Sequence, residues 1–339
     1  VTSGDIIAIA GISELTIGDT VTDPASKVAL PSITVEDPTI KITIGPNTSP
    51  FAGREGKYTT SRQIKERLLK EKETNLGLHI EESTASTDFI VSGRGELHLA
   101  VLIETMRREG YEMQISKPQV IYKEIEGIMS EPYEEVTIDV AQEYVGAVNE
   151  EMGRRKGIIQ SMHNELGTTA RLVFKISSAN LLGVRNVLMT NTRGTAIMST
   201  YFLGYEAKGS KLEALRNGAL IATQSGTSAT YGLVGAQNRG VLFIGAQVPV
   251  YMGMVVGAAN KPMDIEVNVC KEKQLTNNRS SGEGVSESLT PATTLSLEQC
   301  LDFIAEDELL EVTPVNLRIR KKGLTEADRR VIKRIERGE

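Results

Sequence analysis

The sequence is poor in the residues from which many metal, stacking and redox sites are built. Its 339 residues include no tryptophan, only 4% aromatic residues, three histidines and two cysteines. His79, His98 and His163 lie far apart, and none has metal-ligand spacing to a cysteine or to another histidine. So few aromatic rings argue against base stacking as the main way of binding a nucleic acid. We therefore expect no metal site, and we expect any nucleic-acid binding to use backbone and shape.

The cysteine content is too low for a disulfide framework. Cys270 and Cys300 have apolar neighbours, so we interpret both as small apolar fillers, and their low number favours a reducing cytoplasm. With 40% hydrophobic and 24% charged residues, the composition is ordinary for a soluble globular protein. The chain starts at Val1 with neither an initiator methionine nor a signal-peptide pattern, which suits a piece of a longer protein.

One uncharged stretch is long enough to raise the question of a membrane helix. From Gly240 the chain carries no charge until Lys261. Glycines and Pro249 interrupt this stretch, and valines dominate it. The pattern indicates buried strands joined by tight turns, so we expect no membrane segment.

Two glycine-rich stretches resemble nucleotide-binding loops without meeting their requirements. After Gly93 and Gly95, a dinucleotide fingerprint needs a third glycine where this chain has His98. The stretch FAGREGKY resembles a P-loop, but Phe51 stands where the pattern needs glycine and Tyr58 where it needs serine or threonine to bind magnesium. We therefore expect no nucleotide site, no cofactor and no catalytic residue in this chain.

The first two thirds of the chain contain the same order of elements twice. Residues 39–115 give strand and helix patterns in the order βαββαβ, and residues 132–203 repeat that order with different residues. The best-defined stretch is residues 89–110, where Gly93 and Gly95 form the turn between a bulky strand and a helix with a period of 3.6. The order is that of the ferredoxin-like fold.

Residues 206–339 have a different pattern, with mostly strands and with helices late. A polar loop at 271–294 has almost no apolar anchors. Beyond it, a strand carries Arg318 and Arg320 on one side, and Thr325 is predicted to cap a basic terminal helix. The sequence therefore predicts an α+β protein: two ferredoxin-like βαββαβ domains followed by a mostly-β C-terminal domain with late helices.

Four motifs resemble a known family. SGRGELHL, at residues 92–99, resembles the SG-x-GELHL signature in the third domain of elongation factor G. With REGKYTTSRQIKERL at 54–68, YVGAVNEEMGRRKGIIQ at 144–160 and TRGTAIMSTYFLGY at 192–205, the resemblance narrows to the TypA/BipA branch of translational GTPases. It implies four parts: residues 1–30, a remnant of a β-barrel domain; 31–124 and 125–205, two ferredoxin-like domains; and 206–339, a TypA/BipA-specific C-terminal domain.

The resemblance also implies a function. Proteins of this family begin with a GTP-binding domain and a β-barrel domain, so GTP and Mg²⁺ are expected in that missing part and GTP hydrolysis is not expected here. The implied role is in large ribosomal subunit assembly and in translation under stress or cold. The implied partners are ribosomal RNA of the large subunit and the acceptor end of the transfer RNA in the aminoacyl site. The resemblance also implies a cytoplasmic protein that is monomeric and does not bind a membrane. The alternative is a scaffold of tandem ferredoxin-like domains that binds proteins or small effectors.

Basic residues in three places are the candidate RNA contacts, although the formal net charge is −6. Each place has a plainer interpretation: charge at a helix C-terminus, an inert solubilising loop, and a solvated face. The residues are Arg154, Arg155 and Lys156 in a tight turn; Lys271, Lys273, Asn277, Asn278 and Arg279 in the polar loop; and Arg318, Arg320, Lys321, Lys322, Arg329, Arg330, Lys333 and Arg334 in the final segment.

Overall fold

The computed structural model describes residues 2–12, 15, 17–31, 37–84, 86–165, 168–209, 216–272 and 288–337. The first unit has the predicted element order. It consists of β1 (Ile40–Pro46), α1 (Ser61–Thr74), β2 (His79–Glu82), β3 (Phe89–Gly93), α2 (Glu96–Arg108), β4 (Met113–Ser116) and the short β5 (Gln119–Val120). The strands lie in the antiparallel order β4-β1-β3-β2, which confirms the ferredoxin-like arrangement.

Local signals in the sequence explain where the helices of the first unit begin and which face they bury. The Thr60 hydroxyl accepts a hydrogen bond from the Gln63 backbone amide, and the Gln63 side-chain oxygen accepts one from the Thr60 backbone amide, so the predicted capping box starts α1. Ile64 and Leu68, one turn apart, are fully buried on the sheet. In α2, the apolar period that follows Gly95 places Leu99 in the same core.

The second unit repeats the order with its own core. A short strand β6 (Lys123–Ile125) leads into it and pairs with its first strand. The unit consists of β7 (Ile128–Ala141), a 3-10 turn (Gln142–Tyr144), α3 (Val145–Arg154), β8 (Ile158–Glu165), β9 (Thr169–Ser177), α4 (Ser178–Leu181), α5 (Val184–Asn191) and β10 (Ile197–Ala207). Its strand order is β10-β7-β9-β8, and its buried cluster contains Val136, Leu172 and Leu188.

The end region, residues 217–337, contains mostly short strands. Its elements are β11 (Ala219–Ala222), β12 (Gly226–Thr227), α6 (Thr230–Gln237), β13 (Gly240–Leu242), β14 (Pro249–Val250), β15 (Val255–Ala259), β16 (Ile265–Val267), α7 (Leu297–Phe303), β17 (Glu308–Val312), β18 (Leu317–Lys321) and α8 (Glu326–Arg337). The uncharged stretch after Gly240 forms β13, β14 and β15, as its glycines and Pro249 indicated. No helix in the described part of the chain has the length and apolar character needed to cross a membrane.

The end region and the first unit share a sheet and a core. Strand β17 pairs antiparallel with β4, placing Leu310 opposite Ile115, and β18 extends the sheet on its other side. Helix α7 packs on α2, and Leu301 lies in the same buried cluster as Leu99. The first unit and the end region are therefore packed together, although they are distant in sequence. We call the two together the body.

The segment before the first unit differs from its prediction. The stretches GDIIAIAG and IGDTVTDP within residues 1–30 predict short strands and turns, but the described residues of this segment contain no strand. Its apolar side chains are exposed, and Ile6 is entirely so. The segment is too short to bury a core by itself, so nothing holds its isoleucines in a sheet.

Candidate nucleic-acid interface

The basic turn after α3 is a tight left-handed corner. The helix ends at Arg154, and the Gly157 amide bonds back to the Met152 carbonyl at 2.8 Å. Lys156, in the corner, has a φ of +62° and is exposed. Arg154 is also exposed, but its Nη2 atom lies 2.6 Å from a carboxylate oxygen of Glu151.

Arg155, the middle residue of the turn, is not available to RNA. Its Nε atom donates to Glu151 at 2.6 Å, and its Nη1 atom donates to the carbonyl oxygens of Asn180 at 3.1 Å and Leu182 at 2.6 Å. Although burial alone would raise the pKa of Glu151, hydrogen bonds from Arg155 and Arg154 lower it. The prediction of three cations on this corner is therefore wrong for Arg155. It is 3% exposed, because its guanidinium ties the end of α3 to the loop after α4.

The polar loop is described only at its ends. Lys271 is exposed, and its ammonium lies 5.7 Å from the ring centroid of Tyr231. The other predicted contacts in this loop lie outside the described residues: Lys273, Asn277, Asn278 and Arg279.

Two arginines on β18 face inward instead of presenting a basic surface. Arg318 donates to Glu311 at 2.7 Å and also forms an ion pair with Glu55, and 10% of its side chain is exposed. Arg320 donates to the Gln114 side chain at 2.7 Å, and burial lowers its pKa. Strand alternation correctly placed both on one side of the strand, but the loop after β1 and the rest of the end region cover that side. Their predicted exposure is wrong.

Lys321 is the most deeply buried cation of this group. Its ammonium lies 2.6 Å from Asp264, 2.9 Å from Glu308 and 3.0 Å from Asp307, and only 1% of the side chain is exposed. Burial alone would lower the pKa of Lys321, but these three carboxylates raise it. A buried cation needs such compensation, so Lys321 stabilises the fold and its predicted exposure is also wrong.

The remaining cations of the final segment are on the surface. Thr325 caps α8 as predicted, since its hydroxyl accepts a hydrogen bond from the Asp328 amide at 3.1 Å. Arg329 is half-buried and pairs with Glu266. Four cations of this segment are exposed, which we call the exposed cation set: Lys322, Arg330, Lys333 and Arg334. One of them, Arg330, pairs with the exposed Glu326.

Sequence reasoning missed a buried carboxylate that fills the P-loop-like loop. Glu112 is fully buried and accepts hydrogen bonds from the amides of Gly53 at 2.7 Å and Gly56 at 2.9 Å, and from the Asn47 side chain at 2.9 Å. The Glu55 amide adds a longer bond at 3.3 Å. The glycines that suggested a phosphate loop therefore surround an anion of the protein itself. No local pattern near Glu112 signals this, because its partners are more than fifty residues away in sequence.

Comparison with known proteins confirms the resemblance drawn from the motifs. Residues 128–215 match the family model "Elongation factor G C-terminus", and residues 217–326 match "TypA/BipA C-terminal domain". The chain therefore contains a domain of the elongation factor G C-terminal type followed by a domain of the TypA/BipA C-terminal type.

Several curated relatives of this chain carry the same name. The chain is 49% identical over 329 residues to the large ribosomal subunit assembly factor BipA of Haemophilus influenzae, and 46% identical to the proteins of the same name from Synechocystis sp. and Salmonella typhimurium. These alignments cover 94–97% of this chain and 53–54% of the relatives. The chain is therefore similar to these BipA proteins along almost all of its length, and it spans about half the length of the curated relatives it matches.

Proposed function

We propose that this chain is the ribosome-docking part of a TypA/BipA-type GTPase acting in large ribosomal subunit assembly and in translation under stress or cold. The relatives' name supports the association with the ribosome. The observation that carries the RNA contact is the exposed cation set, because these four side chains stay on the surface while their neighbours on β18 are turned inward.

The proposed mode of binding is neutralisation of RNA phosphates. Exposed lysines and arginines release counterions when they bind phosphates, which makes the affinity fall with salt. Such contacts position a protein without reading bases, and they suit a surface with few aromatic rings. Arg154 and Lys156 form a second exposed basic site, on the second unit, and Lys271 forms a third, on the end region. For Lys271 we propose contact with the acceptor end of a transfer RNA in the aminoacyl site.

We propose that GTP and Mg²⁺ bind to the part of the full-length protein that corresponds to the unmatched half of the relatives. We further propose that the chain described here acts as a cytoplasmic monomer and does not itself hydrolyse GTP. The P-loop-like loop supports that division, since its amides at Gly53 and Gly56 are already bound to Glu112. Incubation of the chain with GTP should therefore give no phosphate release above buffer.

Co-sedimentation with purified ribosomes at rising salt tests the proposal. Binding that weakens steeply between low and physiological salt is the expected result. Absence of ribosome binding at every salt concentration, including the lowest, would contradict the proposal. Binding to protein partners that survives ribonuclease treatment and high salt would instead favour the scaffold alternative.

A further inference from the structure

Three parts of the chain meet at one pair of acidic side chains. Glu96 lies in the first turn of α2 in the first unit, and Asp302 lies in α7 of the end region. The start of α5 in the second unit closes over both, through the Gly183 amide and the Asn186 side chain. The pair is therefore at the boundary between the second unit and the body.

The contacts around the pair are close, and both acidic side chains are half-buried. The Gly183 amide donates to Glu96 at 3.4 Å and the Asn186 amide group donates to Asp302, so the start of α5 holds the two carboxyl groups beside each other. The other carboxyl oxygen of Asp302, Oδ1, is buried and has no hydrogen-bond partner in the described part of the chain. A Cβ atom on Gly183, which has a φ of +72°, would come within 3.3 Å of Asp302.

Two carboxyl groups can hydrogen-bond to each other only if one of them carries a proton, because ionised carboxylates are acceptors only. The cation facing the pair is Arg155 from the second unit, and Glu151 and two carbonyl oxygens already occupy its guanidinium. Burial, together with the neighbouring Asp302, raises the pKa of Glu96 to about 8. Near neutral pH Glu96 therefore keeps a proton in the docked state, and its carboxyl group can share that proton with Asp302.

We propose that the Glu96–Asp302 pair is a proton-dependent contact that holds the second unit against the body and releases it when the shared proton is lost. The inference does not rest on the proposed ribosome binding. It gives a role to Glu96, the glutamate of the GELHL motif, which lies at a boundary where the first unit, the second unit and the end region meet.

The direction of the pH effect follows from proton linkage. The pKa of Glu96 is raised in the docked state, so docking is strongest below the ordinary glutamate pKa and weakens as the pH rises through about 8. Over that range the docking equilibrium constant falls by up to about tenfold per pH unit. The chain runs directly from β5 of the first unit into β6, so the two units stay tethered when the contact is released.

The release of the second unit at high pH can be tested by measuring the distance between two spin labels attached to the whole chain. The labels replace Lys72 on α1 and Glu150 on α3, both exposed, in a Cys270→Ser background where the remaining Cys300 is buried. We expect one narrow distance distribution at pH 6.5 and a second, longer population at pH 9.5. Glu96→Gln should keep the narrow distribution at both pH values, because the glutamine amide donates to Asp302 without a titrating proton.

Two further variants make the result specific. Asp302→Asn should also remove the pH response, whereas Glu104→Gln, a carboxyl change farther along α2, should leave the wild-type response intact. A wild-type distribution that is the same at pH 6.5 and 9.5 would overturn the proposal. So would an unchanged pH response in Glu96→Gln. Circular dichroism at each pH verifies that every variant is folded.

Discussion

At the scale of single residues, the burial of charge decides what each basic or acidic side chain does. Arg155 and Lys321 are at most 3% exposed, and each has carboxylates and other acceptors placed around it. Glu112 is the acidic counterpart, with backbone amides as its partners. Removing one member of such a group leaves the others buried without compensation, which costs more than the contact contributes.

Glu112→Ala should destabilise the body strongly. The change removes a fully buried carboxylate and leaves the amides of Gly53 and Gly56 and the Asn47 side chain without their acceptor, and we expect a loss of about 3–5 kcal/mol in the free energy of unfolding. Urea denaturation measures it. The matched control is Glu73→Ala, an exposed glutamate on α1, which should stay within about 0.5 kcal/mol of wild type. A loss below about 1 kcal/mol for Glu112→Ala would contradict the role given to this carboxylate.

Arg155→Ala and Arg154→Ala should differ although the residues are neighbours. Loss of the buried Arg155 removes three hydrogen bonds and should lower the stability of the second unit by about 2–4 kcal/mol. Loss of the exposed Arg154 should cost less than about 1 kcal/mol. Urea denaturation of the two variants distinguishes a structural arginine from a surface one, and equal losses would show that the turn is packed differently.

At the scale of elements, the β17–β18 hairpin joins the end of the chain to its beginning. Leu310 is fully buried between Ile115 on β4 and Ile319 on β18. The second unit has a separate core around Leu172. The end region also has a buried cluster of its own, around Leu233 and Val256. The core around Leu310 and the core around Leu172 are separate and can respond separately to a mutation.

Leu310→Ala and Leu172→Ala should affect different unfolding transitions. Each change removes a fully buried leucine and should cost about 2.5–5 kcal/mol. Calorimetry should show that Leu310→Ala lowers the transition of the first unit together with the end region, and that Leu172→Ala lowers that of the second unit. One common transition shifted equally by both changes would contradict the division into two cores.

Elements with a local signal were predictable from the sequence, and their partners were not. The capping box at Thr60, the strand alternation around Arg318 and the cap at Thr325 all appear where the residues indicated. The pairing of β4 with β17 joins positions almost two hundred residues apart, and alternation fixes a strand's faces without fixing its neighbour. The burial of Arg318 and Arg320 follows from that pairing, so it was invisible to the same reasoning.

At the scale of the whole molecule, the surface that is left for RNA is small. The net charge is −6, and much of the basic final segment is bound to acidic residues inside the fold. The exposed cation set, with Arg154, Lys156 and Lys271, carries the positive charge proposed to meet RNA. We therefore predict that ribosome binding depends on where a cation lies rather than on total charge.

The most direct test is the ribosome affinity of two quadruple variants that lose the same charge. One replaces the exposed cation set with alanine: Lys322→Ala, Arg330→Ala, Lys333→Ala and Arg334→Ala. The control replaces four exposed cations of the first unit: Arg62→Ala, Lys70→Ala, Lys72→Ala and Arg108→Ala. The first variant should bind ribosomes at least tenfold more weakly and with a shallower salt dependence, by about one unit of slope for each lost phosphate contact, while the control keeps wild-type affinity. Equal weakening of both variants, or none in the first, would contradict the account.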